Sequence, residues 1–158
     1  MNAEFWVAFA TGMVALIALI TSSAGAAKAR IKTIEDTYIA RYWQILDRFP
    51  AQALVAEEGT TCTGEELKAV RLYLRLCEDE LELRQLGWVG RTTWQQWRPG
   101  IQAQLNQWPV AAEWALIRDG RRAPHQFTLL RRLDGAADYD PYRPRPYIGR
   151  LTRRWRGL

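Results

Sequence analysis

The sequence has little of what most catalytic and metal sites need. Its 158 residues include a single histidine, His125, and two cysteines, Cys62 and Cys77. One histidine excludes the multi-histidine sites of zinc hydrolases, and the two cysteines fit neither a zinc motif nor a disulfide framework. A phosphate-binding glycine loop and a serine nucleophile motif are also absent. We therefore predict no catalytic residues, no metal and no cofactor, and the sequence favours a protein that is not an enzyme.

Two groups of residues offer weaker routes to chemistry, and each has a simpler explanation. A cysteine–histidine nucleophile pair would need Cys77, which lies on the apolar face of its helix and is expected to be a buried, inert thiol. The acidic run over residues 78–82 places Glu78 and Glu82 on one helical face, where they repel each other. Arginines lie three or four positions away, so we expect this run to be solvated and ion-paired.

Charge is absent from Phe5 to Ala27, a stretch of 23 residues. A helix of that length spans about 34 Å, which is enough for a hydrocarbon core of about 30 Å. We therefore predict a transmembrane anchor over residues 1–30. The indole of Trp6, near one end of the apolar stretch, would lie at the level of the lipid headgroups. The residues that mark this anchor are Trp6, Gly12, Leu16 and Ile20.

The charges beside this stretch predict its orientation. Only Glu4 precedes it, whereas three positive residues follow: Lys28, Arg30 and Lys32. Because positive flanks stay in the cytoplasm, we predict a single-pass protein of the cell inner (plasma) membrane, with its N-terminus outside and its C-terminal domain in the cytoplasm. A cleaved signal peptide is the rival, since Ala-Gly-Ala at 24–26 resembles a cleavage site. A signal peptide needs positive charge before its apolar core, however, so an anchor is favoured.

Proline is absent before Pro50, and apolar residues recur every three or four positions from Ile31 to Phe49. This spacing predicts an amphipathic juxtamembrane helix over residues 31–49 that continues the anchor. Its apolar stripe either packs on the chain's own domain or forms a coiled coil, and we favour the first. Small residues along the anchor, such as Gly12 and Ala15, leave self-association open.

Residues 50–135 are predicted to form a small helical domain. Residues 50–63 are expected to be a loop. A capping box of Thr63 and Glu66 then opens a central helix over 64–86. Leu72 is expected to widen the buried face of this helix. A second capping box, Thr92 with Gln95, opens a helix that we expect to kink or break at Pro99-Gly100. Two further helices cover 109–119 and 124–133. No segment alternates between apolar and polar residues, so the predicted fold is all-α.

Tryptophan and arginine are abundant, and their positions indicate candidate contacts. Four of the eight Trp residues have helical spacing and are expected in the core, namely Trp94, Trp97, Trp108 and Trp114, whereas Trp88 lies in a turn. Residues 136–158 form an extended arm that carries six Arg against two Asp, net +4 of the chain's +5. The arm either folds back on the domain or binds lipid or a protein partner, and nucleic acid is unlikely. The candidate contact residues are Trp88, Arg143, Arg145, Arg150, Arg153, Arg154, Trp155 and Arg156.

Three segments carry a resemblance to other proteins: Tyr42–Leu46 with Arg48–Pro50, Leu76–Glu80, and Thr93–Trp97. Over residues 38–117 the chain resembles uncharacterised bacterial single-span membrane proteins with a small Trp-rich helical domain. The resemblance implies an architecture and no activity. We therefore expect a membrane-anchored, non-enzymatic interaction protein that contacts membrane lipids and a protein partner or a second copy of itself. The alternatives are a structural subunit of a larger membrane assembly and an effector or enzyme with an unrecognised site.

Overall fold

The computed structural model describes residues 3–55, 57, 59 and 61–143, and for residues 3–10 it describes the backbone alone. Within these residues the chain forms helices and no strand, which confirms the all-α prediction. The helices are α1 (Ala3–Leu46), α2 (Ala51–Leu54), α3 (Gly64–Leu86), α4 (Arg91–Leu105), α5 (Val110–Arg118) and α6 (Thr128–Asp134).

Helix α1 joins the predicted anchor and the predicted juxtamembrane helix without interruption. Its 44 residues extend for about 66 Å. Every side chain from Thr11 to Ile20 is exposed, and α1 is the one helix in the described part of the chain that is long and apolar enough to cross a membrane. From Ile31 onward, half-buried or buried positions recur every three or four residues and end at Leu46, in the core. The stripe therefore packs on the chain's own domain.

Helix α3 is the centre of the domain, with α1, α5 and α6 packed around it and α4 packed on α5 and α6. Its residues Val70, Leu74, Cys77 and Leu81 are fully buried. Rings from α1 complete the core, since Tyr42 lies 6.3 Å from Tyr73 between ring centroids. The core also contains two large indoles, those of Trp94 and Trp114, as the helical spacing predicts.

Both ends of α3 follow the sequence prediction. At its start the Thr63 N–H donates to Glu66 Oε2 (2.6 Å) and the Glu66 N–H donates to Thr63 Oγ1 (3.3 Å), which completes the capping box. At its end Gly87 adopts φ +76°, a left-handed conformation that L-residues with a Cβ rarely adopt. The chain reverses there into the α3–α4 turn, residues 87–90.

Several local predictions were wrong. The predicted loop 50–63 contains the short helix α2, which begins directly after Pro50. Helix α4 begins at Arg91 without a side-chain cap, so Thr92 lies inside the first turn and forms no capping box. At Pro99-Gly100, where a kink or a break was expected, the helix does not break: α4 continues through Pro99, because Trp94 before it and Ile101 after it are both buried and hold the helix together across the missing hydrogen bond.

Two further differences concern the surface of the domain. Helix α6 begins at Thr128 and not near Pro124, because Phe127 is left-handed (φ +59°) and cannot be part of a right-handed helix. Leu72, which was expected to widen the buried face of α3, is 40% exposed. It lies on the side of α3 that no other helix covers closely enough to bury it.

Candidate functional site

Two of the four carboxylates in the acidic run on α3 are buried, and this contradicts the prediction that the whole run is solvated. Glu78 is 4% exposed and Glu80 is 6% exposed. The prediction holds for the other two residues: Asp79 pairs with Arg75 (Oδ1 to Nε, 3.3 Å), and Glu82 is exposed. Glu78 and Glu80 are buried because α1, α5 and α6 pack around α3. The spacing of residues along α3 does not by itself indicate which faces these helices cover.

Glu78 caps a helix that has no local cap. The residue before α6, Phe127, has no side chain that can accept a hydrogen bond from the first turn. Glu78 reaches across from α3 and accepts hydrogen bonds from the N–H groups of Leu129 (3.0 Å) and Leu130 (2.8 Å). A carboxylate at this position satisfies the free donors of the helix and complements its dipole. Glu78 is therefore a structural residue.

Arg84 is a second buried charge with a full set of partners. It is 2% exposed, donates to both carboxylate oxygens of Asp140 (3.0 and 2.8 Å) and donates to the Val89 carbonyl (2.9 Å). The Tyr142 ring covers its guanidinium at 4.9 Å. Burial alone would raise the pKa of Asp140, but the hydrogen bonds from Arg84 and from the Tyr142 N–H lower it below its usual value. Residues 140–142 are thereby attached to α3.

Glu113 completes the set of paired buried charges. It is 4% exposed and accepts hydrogen bonds from Arg71 Nε (2.8 Å) and Arg122 Nη1 (2.5 Å). Both arginines are exposed on their outer sides, so the pair closes the surface between α3 and α5. Like Glu78, Glu113 is explained by the contacts that hold the domain together.

Glu80 differs from these residues because it lines an open cleft. The cleft has a volume of about 270 Å³ and lies where α1, α3 and α4 meet. Helical spacing brings its walls together: positions 39, 42 and 43 share one face of α1, and positions 73 and 80 lie two turns apart on α3. The residues that line it are Ile39, Tyr42, Trp43, Tyr73, Glu80, Gln96, Trp97, Gly100 and Ile101.

No hydrogen bond or ion pair to the Glu80 carboxylate forms among the described residues. Its burial raises its pKa from 4.5 to about 8, and the neighbouring charge of Asp79 adds to the effect. A buried carboxylate without a partner is costly, since ionisation in an apolar environment is disfavoured. Such a group in a cleft is a candidate for function, because the other buried carboxylates among the described residues, Glu35, Glu78 and Glu113, all accept hydrogen bonds.

The rings around Glu80 give the cleft a definite chemical character. Tyr42 and Trp43 meet edge to face with centroids 5.3 Å apart, and Trp97 covers the α4 side, half-buried. Burial also raises the pKa of the Tyr42 and Tyr73 phenols, so both stay neutral near pH 7. On α4, Gly100 lines the cleft, and a Cβ added there would meet nothing within 4 Å. The result is an aromatic pocket with one carboxylate.

Sequence reasoning did not identify this cleft, and none of the predicted site residues lines it. A signal was present, however. Tyr73, Cys77 and Glu80 are spaced by four and three, which places Glu80 on the same face of α3 as two core residues. A carboxylate on a buried face is the unusual feature, and the acidic neighbours Asp79 and Glu82 made the whole run look like a solvated face.

The structure places the predicted contact residues as follows. The positive flank Lys28, Arg30 and Lys32 is exposed, and Lys32 Nζ pairs with Asp36 Oδ1 at 2.6 Å. Of the anchor residues, Gly12, Leu16 and Ile20 are exposed on α1, and the side chain of Trp6 lies outside the described part. Trp88 is 43% exposed and Arg143 is exposed. The remaining predicted arm residues lie outside the described residues: Arg145, Arg150, Arg153, Arg154, Trp155 and Arg156.

Other chemistry is not supported by the described residues. Cys77 is fully buried, and burial raises the pKa of its thiol well above the ordinary value, as expected for an inert cysteine. No group of His, Cys, Asp and Glu that could hold a metal ion occurs among the residues described. No family model, curated protein or solved structure matches the chain. The cleft is therefore interpreted from its own geometry.

Proposed function

We propose that the chain is a single-pass, membrane-anchored interaction protein whose helical domain lies at the cytoplasmic face of the inner membrane and binds a partner through the cleft. The proposal keeps the bacterial setting that the resemblance implies. Helix α1 acts as both anchor and stalk. The observation that carries the proposal is the contrast within α1, where an exposed apolar half continues directly into a half that packs on the domain.

The exposed half of α1 has the properties of a membrane span. Leu16 is 52% exposed, Ile17 54% and Leu19 67%, and none of the most apolar stretch of the helix is buried by the domain. A soluble protein rarely exposes a continuous apolar surface of this size, because contact with water disfavours it. A bilayer removes that cost, and the positive residues that follow the stretch favour the cytoplasmic side for the domain.

The domain joins the stalk close to the expected membrane surface. Glu35 accepts a hydrogen bond from the Gly90 N–H at 2.9 Å, and it lies eight residues beyond Ala27, about 12 Å along the helix. The α3–α4 turn is therefore beside the first turns of α1 that follow the span. Leu86 and Trp88, at this turn, are 69% and 43% exposed. An exposed indole near the headgroups supports a lipid contact at this end of the domain.

Fractionation and topology measurements test the anchor. We expect the full chain to stay with membranes after alkaline carbonate extraction and to have the intact mass of an uncleaved chain. A green fluorescent protein fused to the C-terminus should fluoresce, whereas an alkaline phosphatase fusion at the same position should be inactive. A mass that corresponds to cleavage near residues 24–26, or an active phosphatase fusion, would contradict the proposed topology.

A further inference from the structure

The cleft combines two features that both suit a positively charged ligand. Glu80 is more than nine-tenths buried, lines the cleft and has no hydrogen-bond partner among the residues described. Around it lie the rings of Tyr42, Trp43 and Trp97. Aromatic faces carry negative electrostatic potential, as the ionised carboxylate does, so both features attract positive charge. A cation would satisfy the carboxylate and the rings at the same time.

We propose that the cleft binds a methylated ammonium group, with Glu80 as its counter-ion and the aromatic rings in contact with its methyl groups. This ligand class deepens the proposed function, since it rests on the domain being a binding module. It does not depend on the orientation of α1 in a membrane. The occupant is a small organic cation or the cationic head of a larger molecule.

The polarity of the lining favours a methylated ammonium over a primary one. A primary ammonium has three N–H donors, each of which needs an acceptor when it is buried. Glu80, the two phenols and Gln96 offer acceptors on part of the lining only, whereas Ile39, Trp43, Trp97 and Ile101 present apolar or aromatic surface, which suits methyl groups better than N–H donors. A trimethylammonium group has no donors to satisfy, so its charge can be met by Glu80 and by cation–π contacts.

The size of the cleft agrees with a small cationic group. Its volume of about 270 Å³ is slightly below the range of about 300–1,000 Å³ that is usual for ligand pockets. Gly100 lines the α4 side, and a Cβ added there would meet nothing within 4 Å. The glycine therefore offers a way to fill the cleft by substitution without a clash against the surrounding backbone.

Ionisation of Glu80 makes binding depend on pH. On α1, the titratable groups that face Glu80 are Tyr38 and Tyr42. On α3 they are Tyr73, Cys77 and Asp79. The described α4 residues that line the cleft are uncharged. The phenols and the thiol have raised pKa values, so Glu80 is the group of this set that changes charge near neutral pH. Because a cation favours the ionised carboxylate, binding should release a proton and strengthen as the pH rises.

Titration with choline tests the proposal on the full chain in a maltoside detergent. The matched probe is 3,3-dimethylbutan-1-ol, which has the shape of choline without its charge. We expect calorimetry to show saturable choline binding that is at least about tenfold tighter than that of the neutral probe. Between about pH 6 and pH 8.5 the affinity should rise by more than about tenfold. Equal binding of the two probes, or no saturable choline binding, would overturn the proposal.

Three variants separate the cleft from the rest of the surface. Glu80→Gln removes the charge and should weaken choline binding by about tenfold or more, whereas Glu82→Gln, an exposed neighbour on the same helix, should leave it unchanged. Gly100→Leu should fill the cleft and abolish binding while the helical circular dichroism stays the same. Unchanged choline affinity in Glu80→Gln would overturn the assignment even if the protein remains membrane-anchored.

The source of the cation is distinguished by a second titration. Dodecylphosphocholine presents the same trimethylammonium group in a micelle, as a lipid headgroup does. If choline and the phosphocholine micelle both bind in a Glu80-dependent way, the cleft accepts the cationic group of a lipid headgroup. If choline alone binds, the source is soluble, because the cleft begins at Ile39, about 18 Å along α1 from Ala27. Failure of both probes with an intact anchor would overturn this inference and leave the membrane topology standing.

Discussion

Helix α3 buries a carboxylate on the side that packs against α6 and another on the side that opens toward α4. On the α6 side, Glu78 accepts two backbone hydrogen bonds at 3.0 and 2.8 Å. On the α4 side, Glu80 is buried to a similar degree and has no hydrogen-bond partner among the described residues. The same residue type, two positions apart on one helix, is therefore structural in one place and free to bind in the other.

The difference has opposite consequences for stability. Removal of Glu78 would leave two N–H groups of α6 without an acceptor, so the carboxylate stabilises the fold. Glu80 has a folded pKa of about 8, above its unfolded value of 4.5. The folded state therefore binds more protons than the unfolded state between these values, and stability falls as the pH rises from about 4.5 to about 8. This loss of stability arises at the cleft that we assign to a ligand.

The largest expected effect comes from the paired carboxylate. Glu78→Ala should lower the free energy of unfolding by about 3 kcal/mol, because two buried donors lose their acceptor. Glu80→Gln should leave the free energy of unfolding unchanged or raise it at about pH 8.5, since it removes an unpaired buried charge. Urea unfolding of the full chain in detergent measures both, with Glu82→Ala as the exposed control. Equal losses for Glu78→Ala and Glu80→Gln would remove the distinction between the two sides of α3.

A smaller effect is expected where a buried charge is paired near the surface. Asp140→Asn should cost about 1–2 kcal/mol, because Arg84 loses its counter-ion but water reaches the Asp140 side chain. The pKa of Asp140 is lowered in the folded state from 3.8, so its contribution is present above that value and is lost as the pH falls through the folded pKa. The difference between wild type and Asp140→Asn should therefore shrink below about pH 4. Asp138→Asn, at a fully exposed neighbour, is the control and should change little.

More of the fold than of the candidate site could be predicted from the sequence. The bounds of α3 followed from the Thr63 capping box and Gly87, because these signals act within a few residues. The start of α6 did not, since its cap is Glu78, which lies 51 residues before Leu129. The cleft needed the packing of three helices, and its lining residues are scattered from position 39 to position 101. The spacing on α3 places Glu80 on the face of Tyr73 and Cys77, but the acidic run was expected to be solvated, and α3 alone gives no sign of the rings in the cleft.

The most direct test is a measurement of the pKa of Glu80 itself. The side-chain carboxyl carbons of glutamate can be labelled with ¹³C and followed by NMR as the pH of the full chain is changed, and the Glu80 signal is assigned by its loss in Glu80→Gln. We expect a midpoint near 8 without ligand, because burial disfavours the charged form. Saturating choline should shift this midpoint downward, since a cation stabilises the carboxylate. A midpoint near the ordinary value of about 4.3, unaffected by choline, would contradict the account of an unpaired carboxylate in a cation-binding cleft.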